Sequence, residues 1–276
     1  MRNLKEMNDF IGKLAGEVEE LIETGYYDVR STRAHKPSSL AHVIERLEQT
    51  LVTELKFSSP TQGVIRSKED EVKGNDQITS LVSEMEDGGA SGISVLTQPL
   101  HFDGSLENLK TARAHTRLPL LMKDIIIDER QIDAGATLGA DLVLLISRLF
   151  SGSESSLNDL IDHAHSRNLE VLLEVNNVKE YAAAVDSEAD IIGINNRDLG
   201  SLQLDFDTTR RILSSGIRSR KPLISESGFL ERKQIEEIAQ LGVRAFLVGT
   251  SIMKSKDIAA KVRELSGISS GERSVA

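Results

Sequence analysis

From about residue 50 onward the chain alternates short apolar runs with helical patterns, and eight such runs can be read: "QTLVTELK", "SGISVL", "LPLLMKDI", "DLVLLIS", "LEVLLEV", "DIIGIN", "PLISES" and "RAFLVG". Their near-continuous Val, Ile and Leu content suits parallel strands covered by helices on one side and packed on the other. Four runs follow one kind of hinge, seen in "GGASGISVL", "LGADLVLLI", "SEADIIGIN" and "LGVRAFLVG": a helical pattern ends at or near a small residue and the chain turns at once into a strand. The repeating unit is βα. Eight units over roughly 200 residues fit a closed (β/α)8 barrel better than an open doubly wound sheet, which more often has about five to seven strands and a Gly-x-Gly-x-x-Gly turn after the first. No such turn follows "VTELK".

Residues 1–48 lie outside the repeat. In "LKEMNDFIGKLAGEVEELIETG" the residues Leu4, Met7, Phe10, Ile11, Leu14, Val18 and Leu21 fall at three- and four-residue steps, which predicts an amphipathic helix ending at Gly25. "HVIERLEQT" predicts a second short helix, with Tyr26 to Ser39 as a loop between them. Both helices are expected to cap one end of the barrel. The predicted organisation is α/β: a helical extension (1–48), a (β/α)8 TIM barrel (49–265) and a flexible Ser/Gly-rich tail (266–276).

Composition narrows the function. The 276 residues include no cysteine, which removes disulfides, thiolate metal sites and cysteine nucleophiles. A net charge of −10 argues against nucleic acid as a partner, so an anionic ligand must be held by local groups. No run reaches the roughly 18 apolar residues of a membrane span, and the charged first residues contain no apolar signal core. A cytoplasmic monomer with no membrane partner is expected. The six histidines show no ligand spacing, His163 and His165 being two apart on a helical segment, so neither a metal nor a cofactor is expected.

In a barrel of this kind the loops after the strands build the active site. Side-chain alternation puts Glu54, Lys56 and Ser58 on one face of the first run and Lys123 on the face of Leu121; Glu174 follows Leu172, Arg197 follows Asn195, and Gly228 follows Glu226. Lys and Glu are rarely buried unless paired, so a rim carrying several of them needs a reason. Bland alternatives exist for each. Lys123 could end a strand in solvent, Glu54 with Lys56 could be a structural ion pair, and Asn195 and Arg197 could hold a loop. Ser227-Gly228 and Gly249-Thr250 could be plain turns, yet two small pairs on the seventh and eighth runs match the phosphate site such barrels often carry.

The ordered set "TELKFSSPTQG", "SVLTQPLHFDGS", "LLMKDIIID", "LLEVNN", "GINNRDL", "SESG" and "FLVGTSIM", from about Val52 to Lys254, resembles the indole-3-glycerol phosphate synthase family. The resemblance implies ring closure of 1-(2-carboxyphenylamino)-1-deoxyribulose 5-phosphate with loss of carbon dioxide and water, so the partner is a small sugar phosphate. It also implies the residue roles. Lys123 would be the general acid at the carbonyl, and Lys56 would hold the substrate carboxylate and serve as acid in the dehydration. Glu54 would be its base or hydrogen-bonding partner, and Glu174 would stabilise cationic intermediates. Asn195, Arg197 and Glu226 would orient substrate hydroxyls and charged side chains; Ser59, Ser227, Gly228, Gly249 and Thr250 would form the phosphate region. The two lysines are expected to lower each other's pKa from its ordinary value of about 10.4, moderated by Glu54 and Glu174.

Five positions depart from the family pattern. Phe57 stands where Arg is common, Thr61-Gln62 replaces Ser-Lys, and Thr250 replaces Ser but keeps the hydroxyl. Ile125 stands where an aromatic usually follows the Lys-Asp pair, leaving Phe102 as the aromatic expected to pack on the substrate ring, with a higher Michaelis constant as the consequence. Rival readings are a phosphoribosylanthranilate isomerase, whose cysteine base this chain lacks, a Schiff-base aldolase using Lys123 as nucleophile, and an inactive sugar-phosphate binder.

Overall fold

Each apolar run becomes a strand because it is flanked by a helix end behind and a polar loop ahead. The computed structural model describes residues 9–30, 35–67 and 74–268. Helices α1 (Phe10–Glu23) and α2 (Leu40–Arg46) precede β1 (Thr50–Leu55), which is followed by a small hairpin, β2 (Ser58–Ser59) with β3 (Gly63–Val64). The chain continues through α3 (Gly74–Asp87), β4 (Gly92–Leu96), α4 (Pro99–Phe102), α5 (Leu106–His115), β5 (Leu120–Lys123), α6 (Glu129–Leu138) and β6 (Leu142–Ile146). Next come a 3-10 turn at Ser147–Phe150, α7 (Glu154–Ser166), β7 (Glu170–Val175), α8 (Val178–Asp186), β8 (Ile191–Asn195) and α9 (Thr208–Leu213). The last elements are β9 (Leu223–Glu226), α10 (Arg232–Ala239), β10 (Ala245–Val248), α11 (Thr250–Met253) and α12 (Ile258–Ser266).

Strands β1, β4, β5, β6, β7, β8, β9 and β10 pair in parallel in that order, and β10 closes on β1 with Thr50 opposite Ala245. The fold is a (β/α)8 TIM barrel, as the βα repeat predicts. Its strands are buried almost throughout because helices cover the outside and side chains fill the inside. One hinge shows the local cause. Helix α6 starts in a capping box of Asp128 with Gln131 and stops at Gly139, which is left-handed (φ +88); a Cβ there would lie 2.5 Å from Arg113 Cγ. Three residues later β6 begins, at Leu142.

The two N-terminal helices sit at opposite ends of the barrel, not at one end as expected. Asp9 caps α1, accepting from Gly12 N–H at 3.0 Å, and the Phe10 amide donates to Gly200 O beyond β8, so α1 lies over the C-terminal rim. Helix α2 docks at the other end, where Glu170, the first residue of β7, accepts from the Leu40 and Ala41 amides. The described parts of the connection reflect this crossing: Tyr26 donates to Thr97 O near the rim, whereas His35 meets Asp141 at the start of β6, 2.7 Å away. Of the apolar stripe predicted for the first helix, Ile11, Leu14 and Val18 are buried, while Leu4 and Met7 lie outside the described residues, as do residues 269–276 of the predicted tail.

Candidate active site

At the C-terminal rim the strand ends deliver charge into an apolar barrel, and two glycines make the space for it. A Cβ on Gly193 in β8 would lie 2.5 Å from Glu226 Oε1, and one on Gly249 would lie 2.5 Å from Glu54 Oε1. Both carboxylates therefore turn inward through gaps that no other residue would leave open. Glu54, Glu174 and Glu226 are all nearly inaccessible, at 3%, 3% and 1% exposure.

Charges buried to this degree persist only when paired. Lys123, at the end of β5, donates to Glu226 Oε2 at 3.0 Å and Glu174 Oε2 at 3.3 Å, while Lys56 lies 3.2 Å from Glu54 Oε1. Oε1 of Glu226 and Oε2 of Glu54 make no hydrogen bond within the protein. Burial on its own would weaken the Lys123 ammonium, but Glu226, Glu174 and Glu54 together outweigh it and raise its pKa. This overturns the expectation of a lysine tuned downward by its neighbour: three carboxylates, not Lys56, set its proton affinity. Glu226 is pushed up to about 7, chiefly by burial, with Lys123 opposing and Glu174 adding to the rise. Asp124, the next residue, is likewise pushed up to about 6 by burial, against hydrogen bonds from Thr97, the Ile125 amide and Tyr27.

Asn195 ends β8 opposite Glu226, and its Oδ1 accepts from the Arg197 amide at 2.9 Å. Arg197 in turn donates to Leu202 O at 2.8 Å. Ser227 and Gly228 form a left-handed pair (φ +69 and +95) directly after β9. Gly249 precedes α11, which opens at Thr250, and Ser251 Oγ bridges the two loops by donating to Phe229 O. Ser59 sits on the hairpin after β1.

The residues assigned to the site from the sequence line one cavity of about 270 Å³: Glu54, Lys56, Ser59, Phe102, Lys123, Glu174, Asn195, Arg197, Glu226, Ser227, Gly228, Gly249 and Thr250. Residues not foreseen line it too. Phe10 and Leu14 of α1 form part of the wall, so Phe102 is not the sole aromatic beside Ile125. Both belong to the apolar stripe of an amphipathic helix, where a residue facing a cavity carries the same signal as one facing the core. Gln98, buried, caps α4 through its side-chain oxygen. Phe57, which stands where the family commonly has Arg, is buried in the core and not in the cavity wall.

If the carboxylates hold the Lys123 proton, Glu226→Gln should move the alkaline limb of the turnover profile to lower pH, because burial then acts on the ammonium with one fewer charge opposing it. Steady-state turnover measured between neutral pH and pH 10 checks this; a limb that stays in place would show that Lys123 does not titrate there.

A closed parallel barrel whose ionisable groups converge in one cavity at its C-terminal rim defines a TIM-barrel enzyme. The solved structures of an N-acetylmannosamine-6-phosphate 2-epimerase from Clostridium perfringens (14% identity, TM-score 0.58, 79% of this chain and 93% of that one) and a thiamine phosphate pyrophosphorylase from Pyrococcus furiosus (18%, 0.53, 79% and 93%) share the fold. The particular family follows from sequence. The family model for indole-3-glycerol phosphate synthase matches residues 11–265, and the chain belongs to that family. Relatives bearing the same name include those of Methanocaldococcus jannaschii (36% identity over 96% of this chain and 94% of the relative) and Dehalococcoides mccartyi (39%, 84% and 86%). The function is accordingly the formation of indole-3-glycerol phosphate in tryptophan biosynthesis, a carboxy-lyase reaction on a phosphorylated small molecule.

Proposed function

We propose that this cavity closes the indole ring with Lys123 as its general acid, a reading carried by one observation: an ammonium held between two buried carboxylates faces the same cavity as a second lysine–carboxylate pair. The substrate is anionic at both ends. Its phosphate is assigned to Ser59, Ser227, Gly228, Gly249 and Thr250, where backbone N–H groups are unobstructed by bulky side chains. Its carboxylate is assigned to Lys56, and its ring to the wall of Phe10, Phe102 and Ile125.

So placed, the ring carbon bearing the carboxylate attacks the ribulose carbonyl while Lys123 protonates the carbonyl oxygen. The resulting cation is stabilised by Glu174. Carbon dioxide leaves with its bonding electrons returned to the ring. The hydroxyl then departs as water, with Lys56 donating the proton and Glu54 accepting the one that is lost. A raised pKa keeps Lys123 in its donating form at neutral pH, and Glu226, titrating near 7 beside it, is suited to returning the proton. Asn195 and Arg197 orient the substrate hydroxyls.

The proposal extends to a cytoplasmic monomer without nucleic-acid or membrane partners, to catalysis without a cofactor, and to a domain division at residues 48/49 with a tail from 266. The net charge of −10 supports the absence of a nucleic-acid partner. Purified protein incubated with 1-(2-carboxyphenylamino)-1-deoxyribulose 5-phosphate should develop indole absorbance and fluorescence, and borohydride should trap no adduct on Lys123. Absence of indole product, or a trapped imine, would overturn the reading.

A further inference from the structure

Arg148, on the 3-10 turn after β6, does not line the cavity, yet it joins two segments that do. Its Nη2 lies 2.5 Å from Asp9 Oδ2 at the cap of α1, and its Nη1 lies 3.1 Å from Asp198 Oδ2 in the loop after β8. The fit around it is close. A Cβ on Gly200 would meet Arg148 Nη2 at 2.6 Å and Asp9 Oδ2 at 2.9 Å, and the Gly200 carbonyl accepts from the Phe10 amide.

Each acid leads into the cavity by a short path. From Asp9, helix α1 carries Phe10 one residue on and Leu14 one turn further, both in the cavity wall. From Asp198, the Leu202 amide donates to the Asp198 carbonyl at 2.7 Å, and the Leu202 carbonyl accepts from Arg197 at 2.8 Å. A forked guanidinium offers each acid its own nitrogen in a fixed plane, a geometry that the single nitrogen of a lysine does not reproduce.

We propose that Arg148 is a positioning residue that locks helix α1 to the loop bearing Arg197, so that the apolar wall and the Arg197 guanidinium meet the substrate as one unit. The proposal rests on the cavity being the site of ring closure. Because Arg148 acts by holding parts together and not on the reacting atoms, its loss falls on binding.

Arg148→Met should raise KM about tenfold while kcat changes by less than about threefold, and Arg148→Lys should recover part of that loss. Asp9→Asn keeps the capping oxygen and removes only the charge; it should raise KM in the same direction, and adding it to Arg148→Met should cost nothing further. Hydrogen exchange on the same proteins gives a readout independent of activity: the amides of α1 and of residues 198–203 should both exchange faster in Arg148→Met. An unchanged KM in Arg148→Met, additive losses in the double variant, or faster exchange in one segment alone would overturn the lock. Wild-type protein that makes no indole would instead overturn the reading of the cavity, and the exchange experiment would still decide the lock.

Discussion

Lys123→Met should fold, bind substrate, and turn over at least ~10²–10⁴-fold more slowly than the wild type, the range typical of a lost general acid. That loss is roughly 3–5 kcal/mol of transition-state stabilisation at about 1.36 kcal/mol per tenfold. Methionine retains most of the apolar stem at the end of β5, in register with Leu96 of β4, so packing there should survive. The ammonium between Glu174 and Glu226 does not. Glu226, already raised chiefly by burial, then loses the opposing lysine and rises further. A carboxyl whose folded pKa exceeds its unfolded value contributes stability at low pH and loses it as the pH climbs through the folded pKa. The variant should therefore match wild-type thermal stability most closely in acid and fall behind above about pH 7. Kinetics, substrate binding and melting at two pH values check the three parts separately. Near wild-type indole formation would remove Lys123 from the mechanism; loss of binding along with turnover would make it an anchor.

Glu174→Gln carries the second large effect. Glutamine keeps the length and an oxygen able to accept from Lys123, now 3.3 Å from the carboxylate, and discards only the charge. If that charge faces the cation formed on ring closure, turnover should drop about 10²–10³-fold with KM little changed, as for removal of one electrostatic stabiliser. Folding stability should hold or improve, since one fewer buried carboxylate remains near Glu226. Equal losses in kcat and affinity would reassign Glu174 to substrate binding.

The barrel was legible because its signal is repeated: eight apolar runs with matching hinges leave little choice of topology once parallel strands are accepted. The rim residues were legible for a related reason, since strand alternation fixes which side of Lys123, Glu174 and Glu226 faces inward. What stayed hidden was mostly long-range. Nothing in "DFIGKL" distinguishes a helix laid over the mouth from one packed beneath the barrel, so the separation of α1 from α2 and the place of Phe10 were out of reach. The sign of the Lys123 shift is equally out of reach, because it depends on which partners stand within hydrogen-bond distance. Counting charges gave two lysines and two acids, whereas Glu226 reaches Lys123 only because Gly193 lets its side chain fold inward.

That inward fold bears on engineering. A designer who moved Glu54, Lys56, Lys123, Glu174 and Glu226 onto another eight-stranded barrel would find two of the acids without a place to stand, because a Cβ at the positions of Gly193 and Gly249 would come within 2.5 Å of a carboxylate oxygen. The transplantable unit is five side chains together with two vacancies at fixed register. A search for this chemistry in unfamiliar barrels should score the missing Cβ atoms on β8 and after β10 alongside the charged residues.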